Sequence, residues 1–252
     1  MKEIQIRKND AGQRLDRFVG KAVPLLPESL LQKYIRLKRI KRNGKGAKRD
    51  VRLVEGDVLQ LYINDEFFER PTEENAWLKI ATPRLDIVYE DENILLADKK
   101  PGVLCHSAGE WSWDTLISNI QAYLRQSGEW DPKAENAFTP ALCNRIDRNT
   151  GGIVIAAKNA EALRILNDKI RDREIDKAYL CVVCGRPKPA EGRLEGYLFK
   201  DAVKNQVYVT KKPQPGAKSA ATEYRTLQSS RGLSLVECRL LTGRTHQIRA
   251  QM

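Results

Sequence analysis

The residues best placed to do chemistry are a carboxylate and two guanidinium groups in one polar stretch, where Asp147 lies between Arg145 and Arg148. Two glycines follow, and then the apolar run 153–157, which predicts a buried strand. A carboxylate in a loop just before a buried strand is held by a rigid element, as a nucleophile or general base requires. Aspartate is also favoured in turns and surface ion pairs, so Asp147 taken alone is more simply a turn residue.

Other kinds of site fit the sequence less well. Cys181 and Cys184 have redox or metal-ligand spacing, but they lie inside an apolar strand pattern, and the chain has 2 histidines. The sequence has no P-loop motif, no Gly-x-Gly-x-x-Gly after a strand and no Gly-x-Ser-x-Gly elbow. What remains is a site without metal or cofactor, built on a carboxylate, arginines and an aromatic ring.

The net charge of +11 over 252 residues is unevenly distributed. Residues 1–62 hold 16 Lys and Arg against 7 Asp and Glu, whereas residues 63–252 hold 28 against 26. This asymmetry favours a nucleic-acid-binding appendage on a nearly neutral body, with a membrane-surface patch or simple solubility as alternatives. No apolar run approaches the roughly 20 residues of a membrane span. Five cysteines, an odd number, argue for a reducing compartment, so we expect a cytoplasmic protein with no membrane association.

Hydrophobic periodicity divides the chain into a small basic unit at 1–63, a polar linker at 64–82 and a main domain at 83–252. In the small unit, Leu15, Phe18 and Val19 predict the buried face of a first helix. A second helix is expected at 30–37 with Ser29 as its N-cap, followed by a strand that ends in the Asn43-Gly44 turn. Further strands are expected at 51–54 and 58–63.

The main domain is expected to be α+β, with a mixed, largely antiparallel sheet. A hairpin is predicted at 87–98, a buried strand at 177–185, and further strands at 208–210, 221–227 and 233–241. Helices are predicted at 114–124, from the N-cap Asn159 to Arg171 with Leu163, Leu166 and Ile170 buried, and at the end of the segment 242–252. Trp111, Trp113 and Trp130 could stack on bases or pack in a core or lid.

Residues 13–63 resemble the small RNA-binding module of a small-subunit ribosomal protein, here called the S-four module. The matching features are Arg14-Leu15-Asp16, a basic second helix, Asn43-Gly44 and Gly56-Asp57. The resemblance implies that a set of cations faces RNA phosphates: Lys33, Arg36, Lys38, Arg39, Lys41 and Arg42. The alternative is a solvated basic face, but ten basic residues against one acid between 33 and 52 favour an anionic partner.

The stretch 144–152 resembles the catalytic motif of the RluA family of RNA pseudouridine synthases. Other family-like segments occur in the same order: 87–102 with its Lys-Pro-Gly, Lys177-x-Tyr179-Leu180, 218–224, and the Gly-Arg-Thr-His-Gln-Ile-Arg run at 243–249. The resemblance implies a pseudouridine synthase fold and an isomerase that breaks the ribose–uracil bond, turns the base and rejoins it through carbon. This chemistry needs no metal or redox cofactor.

The resemblance also assigns roles to residues. Asp147 would be the nucleophile, attacking either the ribose or the base, and Arg249 would pair with it and favour its ionised form. Tyr179 would stack on the target uracil and is a candidate for accepting the proton from its carbon. Because a uridine in folded RNA must be flipped out, Arg145 would fill the gap left in the stack.

Three departures accompany the resemblance. Asn144 stands where the family usually has His, and Gly151 where it has Ser; neither removes the carboxylate. The family usually continues past the last motif, so we expect the usual C-terminal end of the catalytic domain to be absent here.

The expected substrate is large-subunit ribosomal RNA, and transfer RNA is the alternative. The protein is expected to be a monomer. The rival class is an inactive RNA-binding protein used in ribosome assembly.

Overall fold

A computed structural model describes residues 1–68, 76–107, 112–201, 204 and 206–252. The chain forms two compact units, Met1–Asn167 and Asp168–Met252. Helices and strands are both well represented, and every pairing between the named strands is antiparallel, which confirms the α+β class. The predicted domain boundaries near 63 and 83 do not coincide with the division into units and stay predictions. No helix in the described residues is long and apolar enough to cross a membrane.

The N-terminal module, residues 1–63, contains a four-stranded sheet in the order β1-β4-β2-β3 and two helices. The elements are β1 (Lys2–Gln5), α1 (Leu15–Ala22), α2 (Glu28–Arg36), β2 (Ile40–Arg42), β3 (Lys45–Gly46) and β4 (Val58–Leu61). Leu15, Phe18 and Val19 are buried as predicted. Asn43 and Gly44 both have positive φ, 50° and 78°, as a two-residue hairpin turn of the predicted kind requires.

Two details of the module differ from the sequence-based expectation. Helix α2 begins at Glu28, directly after Pro27, and Ser29 is not its cap. Glu28 suits that position because a carboxylate favours the positive end of the helix dipole. The stretch 51–54 does not form a strand, because Arg52 makes only an isolated bridge to Arg14.

The rest of the first unit is built on a second four-stranded sheet in the order β5-β6-β8-β7, with two helices. The elements are β5 (Ile87–Glu90), β6 (Ile94–Lys99), α3 (Leu116–Gln126), β7 (Ala141–Leu142), β8 (Gly152–Ala157) and α4 (Ala160–Arg171), whose last residues, from Asp168, are counted in the second unit. The predicted hairpin at 87–98 and the cap of α4 are confirmed, since Asn159 Oδ1 accepts a hydrogen bond from Ala162 N at 2.8 Å. The prediction for the buried face of α4 was wrong. Leu163, Leu166 and Ile170 are half-buried, and the buried side chains are Ala160 and Ala162.

Packing settles the role of one of the three predicted tryptophans, Trp130. Trp130 is buried in the core and meets Trp77 edge-on, with ring centroids 5.4 Å apart, so it is a core residue. Trp113 is exposed, and Trp111 lies outside the described residues. The described parts of 64–82 include two short 3-10 turns, Asp65–Phe68 and Ala76–Lys79. The linker prediction for 69–75 lies outside the described residues.

The second unit contains a five-stranded sheet in the order β11-β10-β12-β13-β9. Its elements are β9 (Ala178–Cys184), β10 (Glu191–Asp201), β11 (Gln206–Thr210), β12 (Lys218–Ser230), β13 (Leu233–Leu240) and α5 (Gln247–Gln251). Strand β10 was not predicted. The strand predicted at 177–185 is confirmed as β9, but its predicted burial was wrong, because β9 is an edge strand on which Leu180 and Val182 are 66% and 65% exposed. A strand with apolar residues on both faces has the sequence pattern of a central strand that is covered on both sides, so the sequence alone predicts burial.

Candidate active site

The loop between β7 and β8 carries Asp147, which is half-buried, and hydrogen bonds tie its N-terminal end to β8. Cys143 N donates to Ile155 O at 2.7 Å. Asn144 Oδ1 accepts from Ile155 N at 2.8 Å, and its Nδ2 donates to Ile153 O at 3.3 Å. Asn144 therefore anchors the loop to β8 through its side-chain amide. The buried strand predicted after the loop is largely confirmed, with Val154, Ala156 and Ala157 buried and Ile153 exposed.

A buried lysine clamps the same loop from its other side. Lys99, at the end of β6, is 1% exposed, and its Nζ donates to three carbonyl oxygens, those of Lys100 (3.0 Å), Val103 (2.8 Å) and Arg148 (3.0 Å). Gly102 and Arg148 add a reciprocal pair. Gly102 N donates to Arg148 O at 2.8 Å, and Arg148 Nε donates to Gly102 O at 3.0 Å. The Lys-Pro-Gly segment and the carboxylate loop are thus one hydrogen-bonded assembly.

The electrostatics of this assembly centre on the Lys99 ammonium. Burial lowers the pKa of Lys99 below its ordinary value of 10.5, and the nearby Cys105 and Asp147 side chains oppose that shift. Three carbonyl acceptors satisfy the three N–H donors of the charged form. The lysine therefore supplies a buried positive charge close enough to Asp147 to interact with it. Lys99 was not predicted as a site residue. The feature of the sequence that could have indicated it is a lysine at the end of an apolar hairpin strand, where a buried charge needs partners.

The two arginines near Asp147, Arg145 and Arg148, differ in the hydrogen bonds that their side chains make. Both are exposed, but the Arg148 guanidinium bonds to Gly102 O and so belongs to the clamp. Arg145 projects from the exposed part of the loop. Its predicted role as a wedge in an RNA stack stays a prediction, and its exposure suits that role.

The other two predicted catalytic residues lie in the second unit. Tyr179 is on β9, opposite Cys238 of β13, on the half-buried face of the strand. Arg249 is on α5 and is exposed. It lines an open depression of about 230 Å³ together with Gln206, Val207, His246 and Ala250.

A buried glutamine fixes the segment that carries Arg249. Gln247 is 2% exposed, and its Nε2 donates to Ala221 O (3.0 Å) and Thr222 Oγ1 (2.8 Å) on β12. Its Oε1 accepts from Thr242 Oγ1 (2.8 Å) and Arg244 N (3.0 Å). This amide closes the turn before α5 and ties it to the sheet. Sequence reasoning missed Gln247, because its role depends on Ala221 and Thr222 of β12, which lie 26 and 25 positions away in the chain.

The structure therefore places Asp147 and Arg145 together in the first unit, and Tyr179 and Arg249 in the second. Within each unit the elements that present these side chains are firmly held. Their assembly around one uridine stays a prediction.

The predicted RNA-binding cations lie together on α2, the residues after it and β2. Lys33, Arg36 and Lys38 are exposed. Arg39 lies over the Tyr34 ring at 4.4 Å and Lys41 over the Tyr62 ring at 5.2 Å. Arg42 forms an ion pair with the buried carboxylate of Asp57 at 2.6 Å. Among the described contacts of these six cations, Arg42 is thus distinguished by an ion pair with a buried carboxylate of the module.

The cysteines do not form a metal or redox group of the usual kind. Cys181 and Cys184 are three residues apart on β9 and face opposite sides of the strand. The Cys181 sulfur lies 3.8 Å from that of Cys238 instead, and all five cysteines are free. Within the described residues no three His, Cys, Asp or Glu side chains gather as a metal-binding group.

Comparisons with known proteins agree with this picture. Residues 93–252 match a family model described as RNA pseudouridylate synthase. The chain is 33% identical over 249 residues to an uncharacterized RNA pseudouridine synthase of Mycoplasma genitalium, covering 97% of this chain and 76% of that protein. It is 28% identical over 248 residues to ribosomal large subunit pseudouridine synthase C of Vibrio parahaemolyticus, covering 98% and 74%.

A solved structure, human RNA pseudouridylate synthase domain containing 4, superposes with a TM-score of 0.54 at 22% identity. It covers 70% of this chain and 66% of that one, and it supports the fold alone. The family match begins at residue 93, so it does not reach the N-terminal module, and the S-four resemblance stays a prediction.

Proposed function

The chain belongs to the RNA pseudouridylate synthase family, whose members are isomerases acting on RNA, and from this premise we propose that it isomerises specific uridines of large-subunit ribosomal RNA, with Asp147 as the nucleophile. The observation that carries the proposal is the family match over 93–252, which includes the carboxylate loop and the Lys99 clamp that holds it. A nucleophile held on a clamped loop is preorganised for attack.

The proposed reaction breaks the bond between ribose and uracil, turns the base and rejoins it through carbon. Asp147 forms a transient covalent bond either to the ribose, a bond that breaks as the carbon–carbon bond forms, or to the base, a bond that breaks after the carbon–carbon bond has formed. The uracil nitrogen that loses its bond to ribose takes up a proton. Tyr179 stacks on the uracil and accepts the proton from the carbon that made the new bond. Arg249 pairs with Asp147, and Arg145 fills the space that the flipped uridine vacates.

The N-terminal module supplies affinity in this scheme. Its exposed cations Lys33, Arg36 and Lys38 bind phosphates of structured RNA, with Arg39 and Lys41 beside them. Arg42 supports this face through its ion pair with Asp57, and its own contact with phosphate stays a prediction. Ribosomal RNA as substrate is favoured by the name of the Vibrio parahaemolyticus relative. With ribosomal RNA as the substrate, we propose that the enzyme acts in the cytoplasm as a monomer.

The test is a map of pseudouridine in ribosomal and transfer RNA from cells that lack the gene, complemented with wild type or Asp147→Asn. We expect one or more large-subunit sites to lose pseudouridine and to regain it with wild type only. Restoration by Asp147→Asn would refute the nucleophile assignment. Loss confined to transfer RNA would replace the substrate, and an unchanged map would favour an RNA-binding protein without activity.

A further inference from the structure

A polar seam joins the N-terminal module to the part of the first unit that carries the carboxylate loop. We define the seam by its side chains: Asn9 and Asp10 from the module, and Glu135, Asn136 and Arg164 from beyond the linker. Asn9 Nδ2 donates to Glu135 Oε1 at 2.7 Å. Asn136 Nδ2 donates to Gln5 O at 3.0 Å and to Asp10 Oδ2 at 2.7 Å. These bonds join residues more than 120 positions apart in the chain.

The seam also reaches the beginning of α4. Asn9 Oδ1 accepts from Ala160 N at 3.3 Å, so a side chain of the module helps to cap a helix outside it. One turn further on, Arg164 Nη1 donates to Ala11 O at 2.9 Å. The Arg164 guanidinium lies flat against Gly12, where an added Cβ would be 3.4 Å from its Cζ. Gly12 has φ +77°, a backbone conformation that favours glycine, and the absence of a Cβ leaves room for the Arg164 guanidinium.

The elements contacted by the module at α4 are connected to the carboxylate loop through β8. Helix α4 follows β8 after two residues, and β8 is the strand to which Asn144 ties the loop of Asp147. Helices and strands transmit position well because packed interiors deform little. The module is therefore connected to Asp147 by a continuous path of regular structure as well as by the linker.

A buried carboxylate gives the seam its specificity. Asp10 is fully buried, and its Oδ2 accepts from Arg7 N at 3.0 Å as well as from Asn136. In the described residues its Oδ1 has no hydrogen-bond partner. A buried carboxylate is costly unless donors reach it, so a docking orientation that withdraws Asn136 is disfavoured. Polar contacts of this kind select one arrangement more effectively than they add stability.

We propose that the seam is a positioning device, which holds the cationic face of the module in one orientation relative to the Asp147 loop. RNA bound by the module is then presented to the loop in a fixed direction, without the loss of orientation that a flexible tether would bring. Asn136 and Arg164 are its central positioning residues. The effect on catalysis rests on the proposed function. The docking of the module through the seam does not depend on that function.

The test compares full-length Asn136→Asp and Arg164→Gln with wild type, and uses Arg171→Gln as the matched control. Arg171 lies on the same helix, is exposed, and pairs with Asp168 and Asp172. Asn136→Asp places a second carboxylate against Asp10, and Arg164→Gln removes the bond to Ala11. Both should speed hydrogen exchange in peptides covering 9–12 and 134–138, while exchange within β8 and the affinity for ribosomal RNA stay within twofold of wild type.

The functional readout is pseudouridine formation on two substrates. On folded ribosomal RNA, kcat/KM should fall by roughly tenfold or more, since small misplacements are costly in catalysis. On a short hairpin that carries only the target uridine, the variants should match wild type, because the module does not present that RNA. General damage to the fold would instead slow both substrates.

Each outcome decides something. Unchanged exchange in both variants would overturn the docking, and equal losses on both substrates would overturn the positioning role. If wild type forms no pseudouridine on any RNA, the proposed function fails and the positioning role fails with it. The exchange data would then still decide whether the seam docks the module.

Discussion

The buried ammonium group of Lys99 donates a hydrogen bond to the main-chain carbonyl of Arg148, the residue directly after Asp147, with an N–O distance of 3.0 Å. The two other acceptors of this ammonium, Lys100 O and Val103 O, belong to the Lys-Pro-Gly segment. One side chain thus satisfies carbonyls from two loops and joins them. Because a buried carbonyl without a donor is unfavourable, this lysine fixes where the Asp147 loop can lie.

Replacing Lys99 by methionine should destabilise the first unit and displace the loop. The apolar stem is retained, but each of the three carbonyls loses a donor. Arg148 O keeps the bond from Gly102 N and Lys100 O keeps that from Val103 N, whereas Val103 O has no other donor among the described residues. We therefore expect a loss of about 1–3 kcal/mol in the free energy of unfolding. Urea unfolding measures this change, and hydrogen exchange at 144–150 should become faster. Lys100→Met is the matched control, because Lys100 is exposed and makes only surface ion pairs with Asp86 and Asp98. Equal stability of the two variants would contradict the clamp.

Asp147→Asn should abolish isomerisation while leaving the fold and RNA affinity intact. The amide keeps the size and half-buried position of the side chain but is not a nucleophile, so we expect kcat to fall by at least about a thousandfold. Pseudouridine formation measured by mass spectrometry on ribosomal RNA tests this, with the exposed Asp65→Asn as control. Substantial turnover by Asp147→Asn would remove Asp147 from the chemistry.

Features that depend on local chemistry could be predicted from the sequence. The Asn43-Gly44 turn, the hairpin at 87–98 and the Asn159 cap all rest on residues within a few positions of one another. The carboxylate loop was identified for the same reason, since its polar residues and the strand after it are contiguous. Family membership followed from the order of several such local motifs.

Features that depend on distant partners could not be predicted. The burial of Lys99 requires Arg148 O, 49 positions away, and the role of Arg42 requires Asp57. In a list of cations Arg42 looks the same as Lys38, yet one is held by a buried carboxylate and the other is exposed. Strand β9 looks buried because both its faces are apolar, and only its place at the edge of the sheet reveals the exposed face.

The cations of the module should separate into two classes. Changing Lys33, Arg36 and Lys38 together to glutamine should weaken RNA binding and flatten its dependence on salt, because each lost phosphate contact lowers the slope of log K against log salt by about 0.7–0.9. The stability of the module should not change, since all three side chains are exposed. Filter binding at several salt concentrations measures the slope. An unaltered slope would contradict phosphate binding by this face.

Arg42→Gln should behave in the opposite way, with reduced stability of the module and a smaller change in salt slope. The ion pair with Asp57 has a 2.6 Å separation, and the Asp57 side chain is 6% exposed, so removing the guanidinium leaves a buried carboxylate with one partner fewer. Hydrogen exchange across 40–61 would report the loss. A variant as stable as wild type would return Arg42 to the RNA-binding set.

Asp57 should make the module sensitive to acid. Burial alone would raise the pKa of Asp57, but hydrogen bonds from Arg42, Val54 N and Asn43 outweigh it and lower the pKa below the ordinary value of 3.8. The folded state therefore binds fewer protons than the unfolded state near that pH. The stability that Asp57 contributes is full above the unfolded pKa and is lost as pH falls through the lowered folded value.

The corresponding experiment follows urea-dependent hydrogen exchange of peptides covering 40–61 from neutral pH down to about pH 3. Wild type should lose stability below about pH 4, near the unfolded pKa. Asp57→Asn should be less stable than wild type at pH 7 and should lose less on acidification, so that the two curves converge in acid. Asp50→Asn, a change at an exposed aspartate of the same module, should run parallel to wild type. Parallel curves for Asp57→Asn and wild type would mean that the Asp57 carboxylate does not carry the acid sensitivity.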